Sequence, residues 1–194
     1  MEIKALFGIL SSAFILIGGF PYLKDIHQKN AHPHILSWIG WSFITALGAF
    51  AMLADGSTWA VAILLANTLL CLIVALYSII RKVGIWSTSK LDIVFFGLGI
   101  VGLILWKTLD LPILALICAI TADFAFGLPT IIKAYKDPKS ETPFVWITAT
   151  ISGLLSLLAI QSFAFHEVAY PLYLFMYDTT VLLIILKIIK NKTT

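Results

Sequence analysis

The sequence predicts an all-α membrane protein with seven transmembrane helices, arranged as two parallel three-helix bundles joined by a linker helix. Three observations lead to this prediction: the composition, the spacing of seven apolar segments, and an internal repeat. Of the 194 residues, 60% are hydrophobic and 12% are charged, whereas a soluble domain carries about 25% charged residues. Because so little charge cannot cover a water-facing surface, the composition argues against a soluble, disordered or nucleic-acid-binding protein.

The seven apolar segments have the length and pattern of spanning helices. A spanning helix needs roughly 20 apolar residues, and in lipid only helices and closed barrels satisfy their own backbone hydrogen bonds. The segments lack the alternation of barrel strands, and Cys71 and Cys118 lie inside them as core residues. Seven helices leave no room for a soluble catalytic domain. The segments are, approximately, residues 4–23, 35–54, 58–80, 92–107, 111–133, 144–163 and 169–189.

The basic residues predict the orientation of the chain in the membrane. With the N-terminus outside, eleven of the 13 Lys and Arg residues fall on the inner side, and only Lys4 and Lys107 fall on the outer side. Cytoplasmic loops carry such an excess of Lys and Arg. We therefore expect an integral membrane protein with its N-terminus outside and its C-terminus in the cytoplasm. The net charge of +3 then comes from basic residues that face the anionic lipid headgroups of the inner surface, and it does not require a nucleic-acid partner.

The sequence at the inner end of the first segment is repeated at the inner end of the fifth. The first copy is FPYLKDIHQKNAHPHILSW and the second is LPTIIKAYKDPKSETPFVW. Pro21 and Pro129 are 108 residues apart, and so are Trp38 and Trp146. The match needs no gap over this stretch, so segments 1–3 correspond to segments 5–7.

The repeat divides the chain into three parts. Residues 1–80 form the first three-helix repeat, 81–110 the linker helix, and 111–194 the second repeat. After three spans the chain is on the other side of the membrane, so a second unit that followed directly would be inverted relative to the first. The linker adds one more span, and both units then have the same orientation. Parallel repeats of this kind place a substrate site between the two halves, near the bilayer midplane.

This three-one-three plan, with a proline near the end of the first helix of each triple, resembles the SWEET sugar transporters and the wider PQ-loop family. The loop Lys136–Ser140 is also similar to that of the bacterial half-size members. Neither copy has the Gln of the PQ signature, because Tyr22 and Thr130 follow the prolines. In such transporters four prolines act as hinges of the inner gate. The resemblance implies this role for Pro21, Pro33, Pro129 and Pro143, although Pro33 and Pro143 also stand where prolines commonly start helices.

Three polar residues at membrane depth are candidates for a substrate site, because such residues are costly in lipid. Asn67 and Asp178 occupy equivalent levels of segments 3 and 7, where SWEET-like proteins carry a facing Asn pair that binds sugar. Here Asp178 replaces the second Asn of that pair. Its carboxylate can accept hydrogen bonds from hydroxyl groups, pair with a cation or carry a proton. A structural hydrogen bond to Thr179, Tyr177 or Asn67 is the alternative. Asp123 in segment 5 is a candidate of the same kind, with Thr121 or freed backbone as the structural alternative.

The second segment carries an aromatic pattern. Trp38, Trp41 and Thr45 form WxxWxxxT, a spacing that places them on one helical face, and Trp146 opens segment 6. Tryptophan rings stack on sugars and flat heterocycles and face cations, but they are also common at the headgroup level. The same motif resembles one in the PnuC nicotinamide riboside transporters, where it belongs to the second half of the protein.

The histidines show no metal-binding pattern. His27, His32 and His34 lie in the first inner loop, and His166 and Glu167 in the last outer loop. Because no cysteine or carboxylate set accompanies them, we expect solvated loops and no metal site.

The sequence therefore predicts a SWEET-like transporter that moves a small polar solute, a sugar being the expected one, by alternating access between two three-helix bundles. A proton-coupled amino-acid, nucleoside or PnuC-like vitamin transporter, and a seven-helix receptor on the same scaffold, are the alternatives. The absence of a nucleophile–base pair argues against an enzyme, and no cofactor is expected. The expected partners are the solute and the bilayer, with protons and a homo-oligomer left open, since one chain holds both halves.

Overall fold

The computed structural model describes residues 3–86, 112–136, 138 and 141–193, together with eight isolated residues between 90 and 108. Throughout this part of the chain the secondary structure is helical, apart from short connections. Six helices are labelled here: α1 (Ile3–His27), α2 (Ile35–Ala54), α3 (Ala62–Arg81), α4 (Pro112–Lys136), α5 (Pro143–Ala159) and α6 (Phe165–Thr193). A 3₁₀ turn, Trp59–Val61, precedes α3.

Five of the helices are long and apolar enough to cross a membrane, with α3 counted together with the turn before it. The sixth, α5, is apolar but has 17 residues, which corresponds to about 25 Å. Large apolar side chains such as Ile80, Phe50 and Leu69 are exposed on the outside of the protein. An all-helical protein with apolar outer faces of this kind is an integral membrane protein.

The apolar segments match the helices, with differences at several helix ends. The predicted fourth segment falls mostly outside the described residues. α1 continues for one polar turn beyond residue 23, since helical hydrogen bonding extends past the apolar stretch. α5 ends at Ala159, not 163, and α6 begins at Phe165, not 169. The loop between them is held by Glu167, in the first turn of α6, which accepts a hydrogen bond from the Gln161 backbone N–H (3.0 Å).

Each helix packs mainly against two others, and the contacts close into a ring. α3 lies between α1 and α2, and α6 lies between α4 and α5. The ring is completed by the packing of α1 against α5 and of α2 against α4. The order of contacts is therefore the same in α1–α3 and in α4–α6.

Hydrogen bonds between helix ends show which ends lie together. Arg81, at the end of α3, donates to the His27 carbonyl at the end of α1 (3.0 Å), and Thr142, just before α5, donates to Asp25 (3.0 Å). We call this the basic end, defined by the ends of α1 and α3 and the starts of α2 and α5. At the opposite end Lys4 donates to the Leu158 carbonyl (3.1 Å).

Two contacts fix the direction of α4. Asp123 faces Tyr170, and four residues later Gly127 faces Tyr177, so α4 and α6 run in parallel. Because α6 starts beside the α2–α3 connection at the opposite end, α1, α3, α4 and α6 all run towards the basic end. α2 and α5 run the other way.

Small residues allow close contact between neighbouring helices. Ser11 of α1 and Ser152 of α5 each donate to the other's backbone carbonyl, at 2.8 and 2.7 Å. Gly153 faces α6 so closely that a Cβ there would lie 2.8 Å from Phe175 Cα. Because the obstacle is backbone, no side-chain rotation relieves it.

We expect Gly153→Ala to destabilise the protein by about 1–3 kcal/mol, because α5 and α6 must separate to admit the methyl group. The measurement is thermal or denaturant unfolding of the purified protein in detergent. Leu154→Ala is the matched control, since the adjacent side chain is 47% exposed. Equal stability of the two variants would contradict the close packing at Gly153.

Candidate functional site

A cavity of about 80 Å³ lies at the centre of the helix ring. All six helices contribute side chains to its wall. Of the seven residues that the sequence nominated for substrate binding, six line this cavity. They are Trp38, Trp41, Asn67, Asp123, Trp146 and Asp178.

Thr45, the seventh, lies outside the cavity wall. Its hydroxyl is fully buried and contacts the Trp41 carbonyl at 2.7 Å and the Thr68 hydroxyl of α3 at 2.9 Å. The WxxWxxxT spacing does place its three residues on one helical side, but one turn deeper that side meets α3. Thr45 therefore connects α2 to α3 in this structure.

Aromatic rings form two walls of the cavity. On one side Trp38 packs against Tyr22 with ring centroids 5.3 Å apart and meets Trp41 at 5.4 Å with an interplanar angle of 90°. On the other side Trp146 and Tyr177 have centroids 6.2 Å apart. Trp38 and Trp146, which the repeat relates, thus stand on opposite halves of the protein.

Asp123 is 4% exposed and is held by α6. Tyr170 and Tyr173 donate hydrogen bonds to its two carboxylate oxygens, at 2.6 and 3.1 Å. Thr121, the partner considered from sequence, instead donates to the Ile117 carbonyl (2.8 Å). The Asp123 backbone carbonyl accepts from Trp41 Nε1 at 3.3 Å, so this residue links α2, α4 and α6.

Asp178 differs from Asp123 in having no such support. It is 8% exposed, and no hydrogen-bond donor in the described part of the chain reaches its carboxylate. The neighbouring Thr179 and Tyr177 donate to the carbonyls of Phe175 (2.6 Å) and Gly127 (2.9 Å). Asp178 therefore presents a buried carboxylate to the cavity that it shares with Asn67.

The four prolines lie in or next to helices that surround the cavity, towards the basic end. Pro21 is inside α1 and Pro129 lies within α4. Pro143 opens α5, and Pro33 precedes α2, with its carbonyl accepting from the Ile85 N–H (2.8 Å). A fifth, Pro171, lies inside α6 and was not singled out from the sequence.

A second cavity, of about 220 Å³, adjoins the first on the side of the basic end. It reaches the exposed His32 and the Pro33 turn. Five side chains line both cavities and so stand between them: Tyr22, Trp38, Trp41, Glu141 and Trp146.

The opposite end is held together by Glu167, which the sequence analysis wrongly placed in solvent. Its side chain is 2% exposed and accepts hydrogen bonds from the backbone N–H groups of Thr58 (3.2 Å) and Gln161 (3.0 Å). Beside it His166 contacts Asp55 at 2.8 Å. A carboxylate near a helix N-terminus is favoured, and here it joins the α2–α3 and α5–α6 connections.

The tyrosines of the site were missed by sequence reasoning. Tyr170, Tyr173 and Tyr177 follow one another at spacings of three and four residues, which puts them on one helical face. That spacing was visible in the sequence, but their partners on α4 were not. Glu141, which accepts from Trp146 Nε1 at 3.3 Å, was also missed.

Comparison of the chain with protein-family models, with curated proteins and with solved structures gave no match.

We expect Tyr170→Phe to destabilise the protein by about 1–3 kcal/mol, because the substitution removes a donor from a buried carboxylate. Tyr173→Phe should cost less, since its hydrogen bond is longer and a second donor remains. Unfolding in detergent measures both, with the exposed Tyr135→Phe as control. A Tyr170→Phe protein as stable as the control would contradict the assigned role.

Proposed function

We propose that this protein is a SWEET-like transporter that moves a small polar solute across the membrane by alternating access between two three-helix bundles. The observation that carries the proposal is the central cavity, because all six described helices line it and it contains buried polar groups. Polar and ionisable groups at membrane depth are expensive, and they commonly mark substrate pathways.

The helix packing supports two equivalent halves. α1–α3 and α4–α6 have the same order of contacts and the same directions. α3 ends at the basic end, whereas α4 begins at the opposite end. A linking helix between the halves, the predicted segment 92–107, stays part of the proposal, and most of it lies outside the described residues.

The two ends of the cavity differ in a way that suits one state of an alternating-access cycle. Towards the basic end the central cavity adjoins the 220 Å³ cavity next to His32. On the other side of the cavity the two halves are tied by the Ser11–Ser152 hydrogen bonds, and at the opposite end by the Glu167–Thr58 hydrogen bond. With the basic end in the cytoplasm, as its Lys and Arg residues favour, this arrangement is the one proposed for a state that faces inward.

Movement between states requires the helices to bend or tilt. A proline inside a helix removes one backbone hydrogen bond and kinks the helix. Pro21 in α1 and Pro129 in α4 stand at equivalent places on the two sides of the cavity, close to the basic end. We propose these two as the hinges of the inner gate, with Pro33 and Pro143 at the starts of the adjoining helices.

The resemblance to SWEET proteins gives sugar as the expected solute, and the cavity's tryptophans and its Asn67–Asp178 pair are residue types that hold hydroxyl groups. Proton-coupled transport of an amino acid, nucleoside or vitamin uses the same architecture. Among the described residues that line the cavity none is Lys or Arg. This disfavours a receptor for an acidic peptide.

Locking the two halves together between the cavity and the opposite end should stop transport. Ser11 Oγ and Ser152 Oγ lie 3.0 Å apart, so cysteines at both positions come within reach of a disulfide. In a chain with Cys71 and Cys118 replaced by alanine, we expect Ser11→Cys with Ser152→Cys to lose uptake on oxidation and to regain it on reduction. Uptake by each single cysteine variant should be unchanged by oxidation and by reduction.

The measurement is uptake of labelled glucose, alanine, uridine and choline into proteoliposomes, compared with protein-free liposomes. Full uptake by the oxidised double variant, with the disulfide shown by its mobility on a gel, would contradict movement between the halves. If no solute enters faster than into protein-free liposomes, the transporter proposal itself is contradicted.

A further inference from the structure

We propose that the central cavity binds a small organic cation, whose ammonium group pairs with Asp178 between the aromatic walls. This inference rests on the proposed transport function and names the chemical class of its solute. Three kinds of observation carry it: the charge of the cavity wall, its supply of hydrogen-bond donors, and its aromatic surface.

The wall is acidic. Asp123, Asp178 and Glu141 line the cavity, and no Lys, Arg or His is among the described residues of its wall. Asp123 is compensated by two tyrosine hydroxyls, and Glu141 accepts from Trp146. Asp178 is 92% buried, with 8% of its surface exposed, and has no donor within the described chain. A buried carboxylate without a partner is strongly unfavourable, and a cationic solute supplies the partner.

Several donors of the wall are already committed to the protein. Trp41 Nε1 donates to the Asp123 carbonyl and Trp146 Nε1 to Glu141. Tyr177 donates to the Gly127 carbonyl and Thr142 to Asp25. Asn67, whose amide both donates and accepts, also lines the cavity. An alkylammonium group only donates or makes apolar contact, which fits the carboxylate of Asp178.

The aromatic surface completes the site. Because the indole N–H groups of Trp41 and Trp146 are committed, these residues offer ring surface to a solute. Trp38 and Trp41 meet at 90° and so form a corner, and Trp146 with Tyr177 stands on the other half. Cations are attracted to the faces of Trp and Tyr rings, and aromatic cages of this composition recognise quaternary ammonium groups.

The test measures binding to the full-length protein in lipid nanodiscs by isothermal titration calorimetry. The probes are choline, its neutral isostere 3,3-dimethylbutan-1-ol, and glucose. We expect choline to bind, and the isostere and glucose to bind at least tenfold more weakly. Asp178→Asn should weaken choline binding on the order of 100-fold, as expected when one partner of a buried charge pair is removed.

Matched variants separate binding from folding. Asp178→Glu retains the charge and should recover part of the affinity, whereas Asp55→Asn, outside the cavity, should leave it unchanged. Trp41→Leu should weaken choline binding more than Trp86→Leu, because Trp86 is an exposed residue that does not line the cavity. Each variant is first checked for a single symmetric peak in gel filtration.

Three outcomes would overturn the cation proposal: no choline binding, equal binding of choline and its isostere, or unchanged choline affinity in a folded Asp178→Asn protein. Uptake of glucose without choline binding would overturn this proposal and leave the transporter proposal standing. Choline binding at Asp178 without uptake of any solute would support the cation site and overturn transport.

Discussion

The structure depends on one constraint: a carboxylate inside a membrane-embedded helix bundle must be satisfied by the protein or by what the protein binds. Asp123 shows the first solution, since two tyrosines of α6 donate to its oxygens and its backbone carbonyl accepts from Trp41. These contacts fix the relative positions of α2, α4 and α6. The other helices then close the ring around a polar centre.

Asp178 is a buried carboxylate that no hydrogen-bond donor of the described chain satisfies. It lies one residue after Tyr177, whose hydroxyl goes to Gly127, and it shares the cavity with Asn67. The two carboxylates therefore differ in their surroundings: Asp123 is bound by α6 and links three helices, and Asp178 faces the cavity.

The sequence predicted the membrane class, most helix positions and six of the residues that line the central cavity, because these follow from composition, apolar length, polar residues at membrane depth and the 108-residue repeat. It did not predict the Tyr170–Asp123 contact, since this depends on the register of α6 against α4, which neither helix contains alone. The contact of Thr45 with Thr68 of α3 was not predicted for the same reason, since it depends on how α2 packs against α3. Glu167 was misplaced because a polar residue beside a loop ordinarily indicates solvent, whereas here two backbone N–H groups satisfy it.

The most direct test of the account is whether the central cavity opens to both sides of the membrane. Ala149 lines the cavity and is small, so Ala149→Cys, in a chain with Cys71 and Cys118 replaced by alanine, places a thiol there with little disturbance. A membrane-impermeant maleimide is added to either face of oriented proteoliposomes. Labelling from each face in turn is the predicted result. Labelling from one face only, or from neither, would contradict alternating access.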